Sequence, residues 1–557
     1  MRSIIKEVMV KNLFKNSVSL LTLKQTDILS AAAVIMLMSF ASALLGLVRD
    51  RLMAHYFTAD LVGIYFASFR LPDFAFQVLI FGALSVAFIP VFTDYWQKDR
   101  DEAWRLASSL LTLATLLFIF IIIVFFVFIK PLSFLIVPGL VKENPQHLAL
   151  LVNLTRIILL TQIFFVFSSF LTGILQSFQR FLFPALAAVF YNLGIIVGIV
   201  FLSSLGMYGV VLGVILGALM HFLVQLPLAF SLGFKFRGVF NFSHPGVLSL
   251  GRLMLPRSLA LAAYQINLMV NTSLASLVSL ASITFLNFAQ HLALVPVNFF
   301  GAAIAQAAFP TLSMVKNQNK MEEFKSVLQS CLHQILFLVI PVSTALFILH
   351  TPFTRLVFGA RLFTWEATVL TGRTLAFLSL GLPAQGVSLL LMRGFYALHD
   401  TKTPLKIGLF SIVFNVALSA IFILLFKLPV WSLGISASLA ASVDTLFLLF
   451  LLDRKIKRFD RNQLLLPILK MLCSAFVMAF FLWFPVKIFD QLFFDTTRTI
   501  NLLWISVIAS FSGLGSYLFS TWFLNIDEAK DFLMLLRKVG NWRRVLSQSE
   551  EIIEPEA

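Results

Sequence analysis

Charged side chains are scarce in this sequence, and their scarcity excludes a water-soluble domain. Asp, Glu, Lys and Arg make up 12% of its 557 residues, whereas hydrophobic residues make up 59%. Soluble domains carry about 25% charged residues, so this chain has too few polar side chains to cover a surface that faces water. A surface that faces lipid removes that need.

Cysteines and catalytic motifs are equally scarce. The two cysteines, Cys331 and Cys473, lie far apart inside apolar runs, which excludes a disulfide framework or a cysteine metal site. The eight histidines form no HExxH pattern, and no Walker A, GxGxxG or nucleophile-elbow sequence occurs. We therefore expect no enzyme, no cofactor, no bound metal and no direct use of ATP.

Apolar runs of membrane-spanning length are what the sequence does have. Leu110–Ile129 and Phe410–Phe426 are examples, each near the length that crosses about 30 Å of hydrocarbon. The pattern predicts an all-α polytopic membrane protein with about fourteen transmembrane helices. The predicted spans cover residues 28–48, 62–92, 106–136, 149–178, 183–204, 208–233, 248–279, 282–314, 326–350, 367–396, 403–427, 430–452, 463–486 and 499–524.

Basic residues are unevenly distributed between the segments that join these spans. The formal net charge of +16 is compatible with nucleic-acid binding in a soluble protein, but membrane proteins collect Lys and Arg in cytoplasmic segments. With the N-terminus inside, 28 of the 42 Lys and Arg fall in cytoplasmic segments or at the cytoplasmic ends of spans, and nine fall on the other side. We therefore expect a multi-pass inner (plasma) membrane protein with both termini cytoplasmic and no nucleic-acid partner.

A repeat at an offset of 220 residues predicts the domain organisation. Ala87-Phe88-Ile89-Pro90 matches Ala307-Ala308-Phe309-Pro310, and Pro184 falls on Pro404. The offset spans six helices, so the two copies share one orientation, as in transporters that bind substrate between two repeats. The predicted domains are a basic amphipathic segment (1–27), an N-lobe (28–233), a C-lobe (248–453), two further helices (463–524) and a cytoplasmic tail (525–557).

Arg49 and Asp50 at the end of the first span are the first candidates for a site, because ionisable groups in hydrocarbon usually face a partner or a wet cavity. Adjacent helix residues point about 100° apart, so we expect the two side chains to pair poorly. Arg49 would then face either a substrate anion or lipid headgroups.

Three further ionisable residues lie inside predicted spans. Arg70 either binds substrate or pairs with Asp73, three residues further on. Arg257 has no acidic residue nearby in sequence, which favours a substrate anion or a wet cavity. His291 is either a ligand or a hydrogen-bonded packing residue. An arginine-lined cavity suits a phosphate or pyrophosphate, because guanidinium groups bind such oxygens bidentately and stay charged.

Several ordered motifs resemble those of the MviN/MurJ family. They are GLVRD at 46–50, FRLPD at 69–73, GALSVAFIPVF at 82–92, LPR at 255–257, FPTLS at 309–313, GFYA at 394–397 and DTKTP at 400–404. The resemblance covers the chain to about residue 525. It implies the MOP exporter fold, alternating access between two lobes, a cationic central cavity, and a groove beside the last two helices for a polyprenyl tail.

The sequence departs from the family pattern at several charged positions. Family charges are replaced by Ala43, Gly63, Phe76, Phe81 and, for an Asp-Arg pair in the eighth span, Gln290-His291. The resemblance carries over Arg49 and Asp50 directly. Arg257 and His291 are candidates to compensate for the missing charges.

The resemblance implies a bacterial lipid II flippase, which moves the undecaprenyl-pyrophosphate-linked peptidoglycan precursor across the membrane. Arg49 and Arg257, with Arg70 and His291, would contact the pyrophosphate, and Asp50 would position or gate it. The alternatives are an exporter of another polyprenyl-pyrophosphate glycolipid, an exporter of cationic drugs, or a non-transporting scaffold that recruits cell-wall synthesis proteins. A drug exporter needs acidic residues in its cavity, and the spans offer few besides Asp73 and Asp444.

Overall fold

The computed structural model describes residues 28–78, 88–139, 145–236, 244–456, 458–492 and 499–530. These ranges are built from helices and contain no β-strand, which confirms the all-α prediction. The predicted segment 1–27 and residues 531–557 of the predicted tail lie outside them.

Eleven helices cover the described residues up to position 296. They are α1 (Ile28–Tyr56), α2 (Ala59–Ser68), α3 (Arg70–Phe76), α4 (Ile89–Lys98), α5 (Arg100–Ile136), α6 (Pro145–Ser177), α7 (Leu182–Leu202), α8 (Met207–Leu223), α9 (Leu226–Ser231), α10 (Pro245–Val278) and α11 (Leu280–Pro296).

The remaining described residues form nine more helices and two short π-helical turns. The helices are α12 (Ala303–Asn317), α13 (Met321–Ile348), α14 (His350–Phe358), α15 (Trp365–Ser379), α16 (Leu382–Ala397), α17 (Lys402–Ala420), α18 (Trp431–Lys455), α19 (Arg461–Leu492) and α20 (Thr499–Phe523). The π-helical turns are Val297–Ala302, after Pro296, and Ile421–Leu425.

Ten helical stretches among the described residues, some of them joining two of these helices, are long and apolar enough to cross a membrane, and an eleventh span is formed if the bent pair α15 and α16 is counted as one. The chain is therefore a multi-pass membrane protein. The total of about fourteen spans stays a prediction, because the described residues do not cover the whole chain.

Proline explains where one predicted span is interrupted. Residues 62–92 were expected to form a single span, but α2 ends at Ser68 and α3 begins at Arg70. Pro72 has no N–H to donate to the carbonyl of Ser68, so the helix loses a hydrogen bond at that point.

Two compact units divide the described residues. Unit 1 comprises those within Met1–Phe288, Val357–Ala367 and Val416–Val430. Unit 2 comprises those within Ala289–Leu356, Thr368–Asn415 and Trp431–Ala557. The boundaries of the predicted lobes and of the C-terminal helix pair stay a prediction.

Glycines bring α7 and α8 into backbone contact in unit 1. A Cβ atom on Gly194 would lie 2.3 Å from the Cα atom of Gly217, and one on Gly198 would lie 2.5 Å from the Cα atom of Gly213. Small residues at such crossings let apolar helices gain close van der Waals packing where lipid removes the hydrophobic driving force. This hairpin holds Asn192, which contacts the candidate site.

Candidate functional site

Arg49 and Asp50 form an ion pair inside unit 1. The Nη2 and Nε atoms of Arg49 donate to the Oδ1 atom of Asp50 at 2.8 and 3.0 Å. The Asp50 side chain is fully buried, and that of Arg49 is 16% exposed. Such a pair is held by short charge-assisted hydrogen bonds.

The expectation that these neighbours pair poorly is therefore wrong. The 100° between adjacent residues describes the directions of their Cα–Cβ bonds. The guanidinium lies several bonds beyond Cβ, and the flexible side chain of Arg49 turns it back onto the carboxylate. Arg49 is thus neutralised by Asp50 instead of being left open to an anion.

Asn192 on α7 holds the other side of the Arg49 guanidinium. Its Oδ1 atom accepts a hydrogen bond from Nη1 of Arg49 at 3.2 Å. Its amide nitrogen donates to the carbonyl and hydroxyl oxygens of Ser42 and to the carbonyl oxygen of Ala188. The amide is therefore fixed by both α1 and α7, and it orients the arginine.

Two tyrosines connect this ion pair to the next charged group. Tyr65 on α2 is buried, and Tyr191 on α7 is half-buried. Each lies within electrostatic range of both Arg49 and Asp73. Two acidic and two basic side chains, on helices α1 and α3, therefore lie within electrostatic range of one another or of these tyrosines.

Arg70 is held by neutral side chains of α10 and α11. Its Nε atom donates to the hydroxyl oxygen of Thr272 at 2.8 Å, and its Nη2 atom donates to the amide oxygen of Asn287 at 2.9 Å. Thr272 and Asn287 are both buried. No carboxylate accepts a hydrogen bond from Arg70 in the part of the chain that the structure describes.

The alternative in which Arg70 pairs with Asp73 is therefore not what the structure shows. The two residues are within electrostatic range, but the arginine extends to α10 and α11 instead. One turn of helix separates them in sequence, and Pro72 lies between them at the start of α3. The guanidinium keeps a positive charge that no carboxylate among the described residues cancels through a hydrogen bond.

Arg257 and His291 are the other two predicted residues. Arg257 is on α10 in unit 1, and its side chain lies outside the described residues. His291 is on α11, half-buried, and belongs to unit 2. The role of each in a site stays a prediction.

Two departures from the family pattern have a physical reason in unit 1. A Cβ atom on Gly63 would lie 2.2 Å from the carbonyl oxygen of Leu280, so this position has no room for an acidic side chain. Phe76 packs its ring against Phe165, with centroids 5.9 Å apart. The chain therefore has tight packing at two positions where the resemblance led us to expect charges.

Sequence reasoning missed the neutral residues that orient both arginines. Asn192, Thr272 and Asn287 are polar side chains in apolar helices, and polar groups at membrane depth are usually hydrogen-bonded. The sequence therefore indicated that these side chains are hydrogen-bonded, but it did not indicate which residues they bond to. Tyr65 and Tyr191 gave no signal, because tyrosines are common in membrane proteins.

Comparison with solved structures defines the class of protein. The fold matches a structure described as lipid II flippase MurJ in an inward closed conformation, with a TM-score of 0.74, 25% identity, and coverage of 89% of this chain and 99% of that chain. It also matches an inward-facing multidrug resistance MATE family transporter of the MOP superfamily, with a TM-score of 0.62, 17% identity, and coverage of 76% and 98%. The fold is that of a MOP-superfamily transporter.

Sequence comparison identifies the family. The family model described as lipid II flippase MurJ matches residues 53–504. A probable lipid II flippase MurJ of Buchnera aphidicola subsp. Acyrthosiphon pisum is 31% identical over 437 residues, which cover 77% of this chain and 84% of the relative. The lipid II flippase MurJ of Burkholderia cenocepacia is 28% identical over 382 residues, 66% of this chain and 73% of the relative. The chain belongs to the lipid II flippase MurJ family.

Proposed function

We propose that this protein is a lipid II flippase, a transporter and not an enzyme, which moves lipid II from the cytoplasmic to the outer leaflet by alternating access. The observation that carries the proposal is the family match over residues 53–504, which includes Arg70, Thr272 and Asn287. A lipid II flippase acts in the cell membrane and supplies cell-wall biogenesis.

Arg70 is the residue we assign first to the pyrophosphate. Its bonded acceptors are neutral, so its charge is available to an anion, and its Nη1 atom has no hydrogen-bond partner among the described residues. A guanidinium with one free edge can donate to a phosphate oxygen while Thr272 and Asn287 keep it oriented.

Arg49 and Asp50 are assigned a different role. The carboxylate of Asp50 already takes two hydrogen bonds from Arg49. A phosphate oxygen can replace that carboxylate as the acceptor, because both are anions that match the guanidinium fork. We assign the pair to substrate-dependent exchange, in which the pyrophosphate of lipid II replaces the Asp50 carboxylate on Arg49. Arg257 and His291 remain candidates for further contacts with the substrate.

The test is transport by the purified full-length protein in vesicles that contain fluorescent lipid II. A membrane-impermeant reagent that destroys external fluorescence reports how fast the lipid crosses. We expect rapid loss of the protected fraction with the protein and slow loss in protein-free vesicles. Equal rates in the two would overturn the proposal.

A second substrate distinguishes lipid II from other glycolipids. The same vesicles can carry a fluorescent polyprenyl-pyrophosphate with an unrelated oligosaccharide. Faster crossing of that lipid would favour the alternative exporter. A protein that flips neither lipid and does not restore growth to a flippase-depleted bacterium would favour a scaffold for cell-wall synthesis proteins.

The proposed orientation places both termini in the cytoplasm. It is supported by the excess of Lys and Arg in segments assigned to that side. A single cysteine added after residue 557, in a variant without Cys331 and Cys473, should resist an impermeant maleimide in intact cells and react after lysis. Reaction in intact cells would reverse the orientation.

A further inference from the structure

A series of hydrogen bonds joins α6 to the end of α8 in unit 1. The hydroxyl of Thr172 donates to the Oε1 atom of Gln225 at 2.8 Å, and the Nε2 atom of Gln225 donates to the hydroxyl oxygen of Ser168 at 2.6 Å. That hydroxyl oxygen lies 2.6 Å from the Nδ1 atom of His221. The series therefore ends at one imidazole ring and holds its Nδ1 side in place.

The geometry around Ser168 leaves one nitrogen of His221 unused. The amide of Gln225 has a fixed orientation, because its Nε2 atom also lies 3.1 Å from the carbonyl oxygen of His221, which can only accept. The Ser168 hydroxyl has two acceptors within reach, Nδ1 of His221 at 2.6 Å and the same carbonyl oxygen at 3.1 Å. Both tautomers of the ring fit this arrangement. In each of them Nδ1 is bonded, and Nε2 has no hydrogen-bond partner among the described residues.

The unused nitrogen of His221 is accessible and lies on the inner side of α8. Nε2 is not one of the fully buried polar atoms that lack a partner in the described residues, so a ligand can reach it. The exposed side chains of Leu212, Leu216 and Leu223 form a stripe along α8 that faces lipid. His221 lies two residues before Leu223, which places it about 160° from that residue around the helix. Its ring is therefore on the side that faces the other helices of unit 1.

Half-buried aromatic rings connect His221 to the neighbourhood of Arg49. The ring of Phe165 on α6 lies 5.2 Å from that of His221 and 5.1 Å from that of Tyr191, measured between centroids. Phe76 on α3 packs against the same phenylalanine. Tyr191 is within electrostatic range of Arg49. Two successive ring contacts therefore separate His221 from the tyrosine beside the arginine, and part of each ring is open to a ligand.

The surroundings of His221 suit an uncharged ligand that bears hydroxyl groups. Its hydrogen-bond partners, Ser168 and Gln225, are neutral, and it belongs to no ion pair among the described residues. A hydroxyl group both donates and accepts, so it can bond to Nε2 in either tautomer. The negative face of an aromatic ring attracts the C–H groups of a sugar. A phosphate, in contrast, prefers a cationic donor such as an arginine.

We propose that His221 and Phe165 bind the sugar part of the lipid-linked substrate, while Arg49 and Arg70 bind its pyrophosphate. The inference rests on the proposed flippase function, which supplies a substrate whose sugar is joined directly to a pyrophosphate. That linkage requires the two subsites to be neighbours. The contacts from His221 through Phe165 to Tyr191 provide this proximity within unit 1.

Two amide substitutions separate ligand binding from packing. The amide of asparagine reaches as far as Nδ1 of histidine, and that of glutamine reaches as far as Nε2. His221→Asn therefore keeps the bond to Ser168 and loses the accessible nitrogen, whereas His221→Gln keeps a polar atom near that nitrogen and gives up the bond. The sugar subsite predicts that His221→Gln binds lipid II more tightly than His221→Asn does. A network that only packs α6 against α8 predicts the reverse order.

Native mass spectrometry of the purified full-length protein provides the measurement. The protein is titrated with lipid II and, separately, with undecaprenyl pyrophosphate, which lacks the sugars and the peptide. We expect His221→Asn to lower the affinity for lipid II by about two- to tenfold, as the loss of one neutral hydrogen bond does, and to leave the affinity for undecaprenyl pyrophosphate unchanged. Equal losses for both lipids, or weaker binding of lipid II by His221→Gln than by His221→Asn, would contradict the subsite.

Phe165→Leu tests the subsite independently, in case the histidine variants fold poorly. It removes an aromatic face and no hydrogen bond that the structure describes, so we expect the same selective loss of lipid II affinity. A variant that keeps the parent's preference for lipid II would remove Phe165 from the subsite. His350→Asn is the matched control, because His350 is a half-buried histidine of unit 2 that donates to the carbonyl oxygen of Phe347. It should bind both lipids as the parent does.

A lipid II analogue without the peptide identifies the part of the headgroup that is bound. The loss of affinity in His221→Asn should persist with this analogue, and a loss that requires the peptide would exclude the sugar as the ligand. If the parent binds and flips lipid II but no variant changes its preference over undecaprenyl pyrophosphate, the subsite is wrong and the flippase stands. If the parent neither binds nor flips lipid II, the proposed function itself fails, and this inference fails with it.

Discussion

Two ion pairs, Arg49–Asp50 in unit 1 and Asp400–Lys455 in unit 2, lie in different environments. In unit 1, the carboxylate of Asp50 is fully buried beneath Arg49. In unit 2, Asp400 pairs with Lys455, whose side chain is 45% exposed. Water can solvate either partner of an exposed pair when the other is lost, but it cannot reach a buried one. The Arg49–Asp50 pair is therefore fixed in place by the fold, whereas the Asp400–Lys455 pair can be lost at little cost.

The largest expected effect in this comparison is that of Arg49→Ala. The substitution leaves the buried carboxylate of Asp50 without its cation, and such a loss costs about 3–5 kcal/mol. We expect a large drop in the thermal stability of the purified protein, measured by the fraction that stays monodisperse after heating. The variant should also fail to restore growth to a flippase-depleted bacterium.

The double variant Arg49→Ala with Asp50→Asn separates stability from transport. An amide is neutral, so the double variant should recover most of the lost stability. It should still not flip lipid II, because the guanidinium is absent. Recovery of flipping together with stability would remove Arg49 from the mechanism and leave it a structural role.

Arg70→Ala should affect transport more than stability. It removes hydrogen bonds to two neutral groups, Thr272 and Asn287, at a cost of about 1–3 kcal/mol. The loss of a charged donor to pyrophosphate should lower the flipping rate by at least about tenfold. Initial rates in vesicles, at equal amounts of folded protein, give the comparison.

Arg70→Lys and Arg51→Ala serve as matched controls. Lysine keeps the charge but not the planar fork, so we expect a partial loss. Arg51 lies two residues from Arg49, is exposed, and donates to a backbone oxygen of Val357. Its removal should have little effect. An Arg51→Ala variant as impaired as Arg70→Ala would show that the cause is the general positive charge of unit 1.

Hydropathy predicted the fold well because the apolar character of a membrane-spanning helix is a property of consecutive residues. Each apolar run of about 20 residues must form a helix to satisfy its own backbone in lipid. The all-α membrane fold follows from that rule alone. The break between α2 and α3 at Phe69 was harder to predict from the sequence, because a proline can either bend a helix or end it.

The site was only partly predictable, because its hydrogen bonds are distant in sequence. The arginines were recognised from their type and place, but the partners of Arg70 are 202 and 217 residues away. The lack of room at Gly63 depends on the backbone of Leu280, which no local pattern reveals. Even the pairing of the adjacent Arg49 and Asp50 was predicted wrongly, because helix geometry fixes Cβ directions and not the reach of a long side chain.

Asp400→Asn has the smallest expected effect and tests the Asp400–Lys455 pair, the more exposed of the two ion pairs. Asp400 lies just before α17, where its carboxylate accepts from the backbone N–H groups of Lys402 and Thr403, from the Thr403 hydroxyl and from Lys455. Burial raises the pKa of this carboxyl, but the hydrogen bonds from Lys455 and Thr403 outweigh burial, so the pKa lies well below its ordinary value of 3.8.

The sign of the pH dependence follows from that lowered pKa. A carboxyl group whose pKa is lower in the folded state stabilises the fold above its unfolded pKa, and this contribution is lost as pH falls toward the folded pKa. Asparagine caps a helix about as well as aspartate, so Asp400→Asn removes mainly the ion pair, worth about 1 kcal/mol or less. The difference in stability between the parent and Asp400→Asn should therefore be small, constant between about pH 5 and 8, and progressively smaller as the pH falls below about 4. Lys455→Ala, which removes the same pair from its exposed side, should show a similar difference. A penalty from either variant as large as that of Arg49→Ala would mean that the Asp400–Lys455 pair is held as rigidly as the Arg49–Asp50 pair.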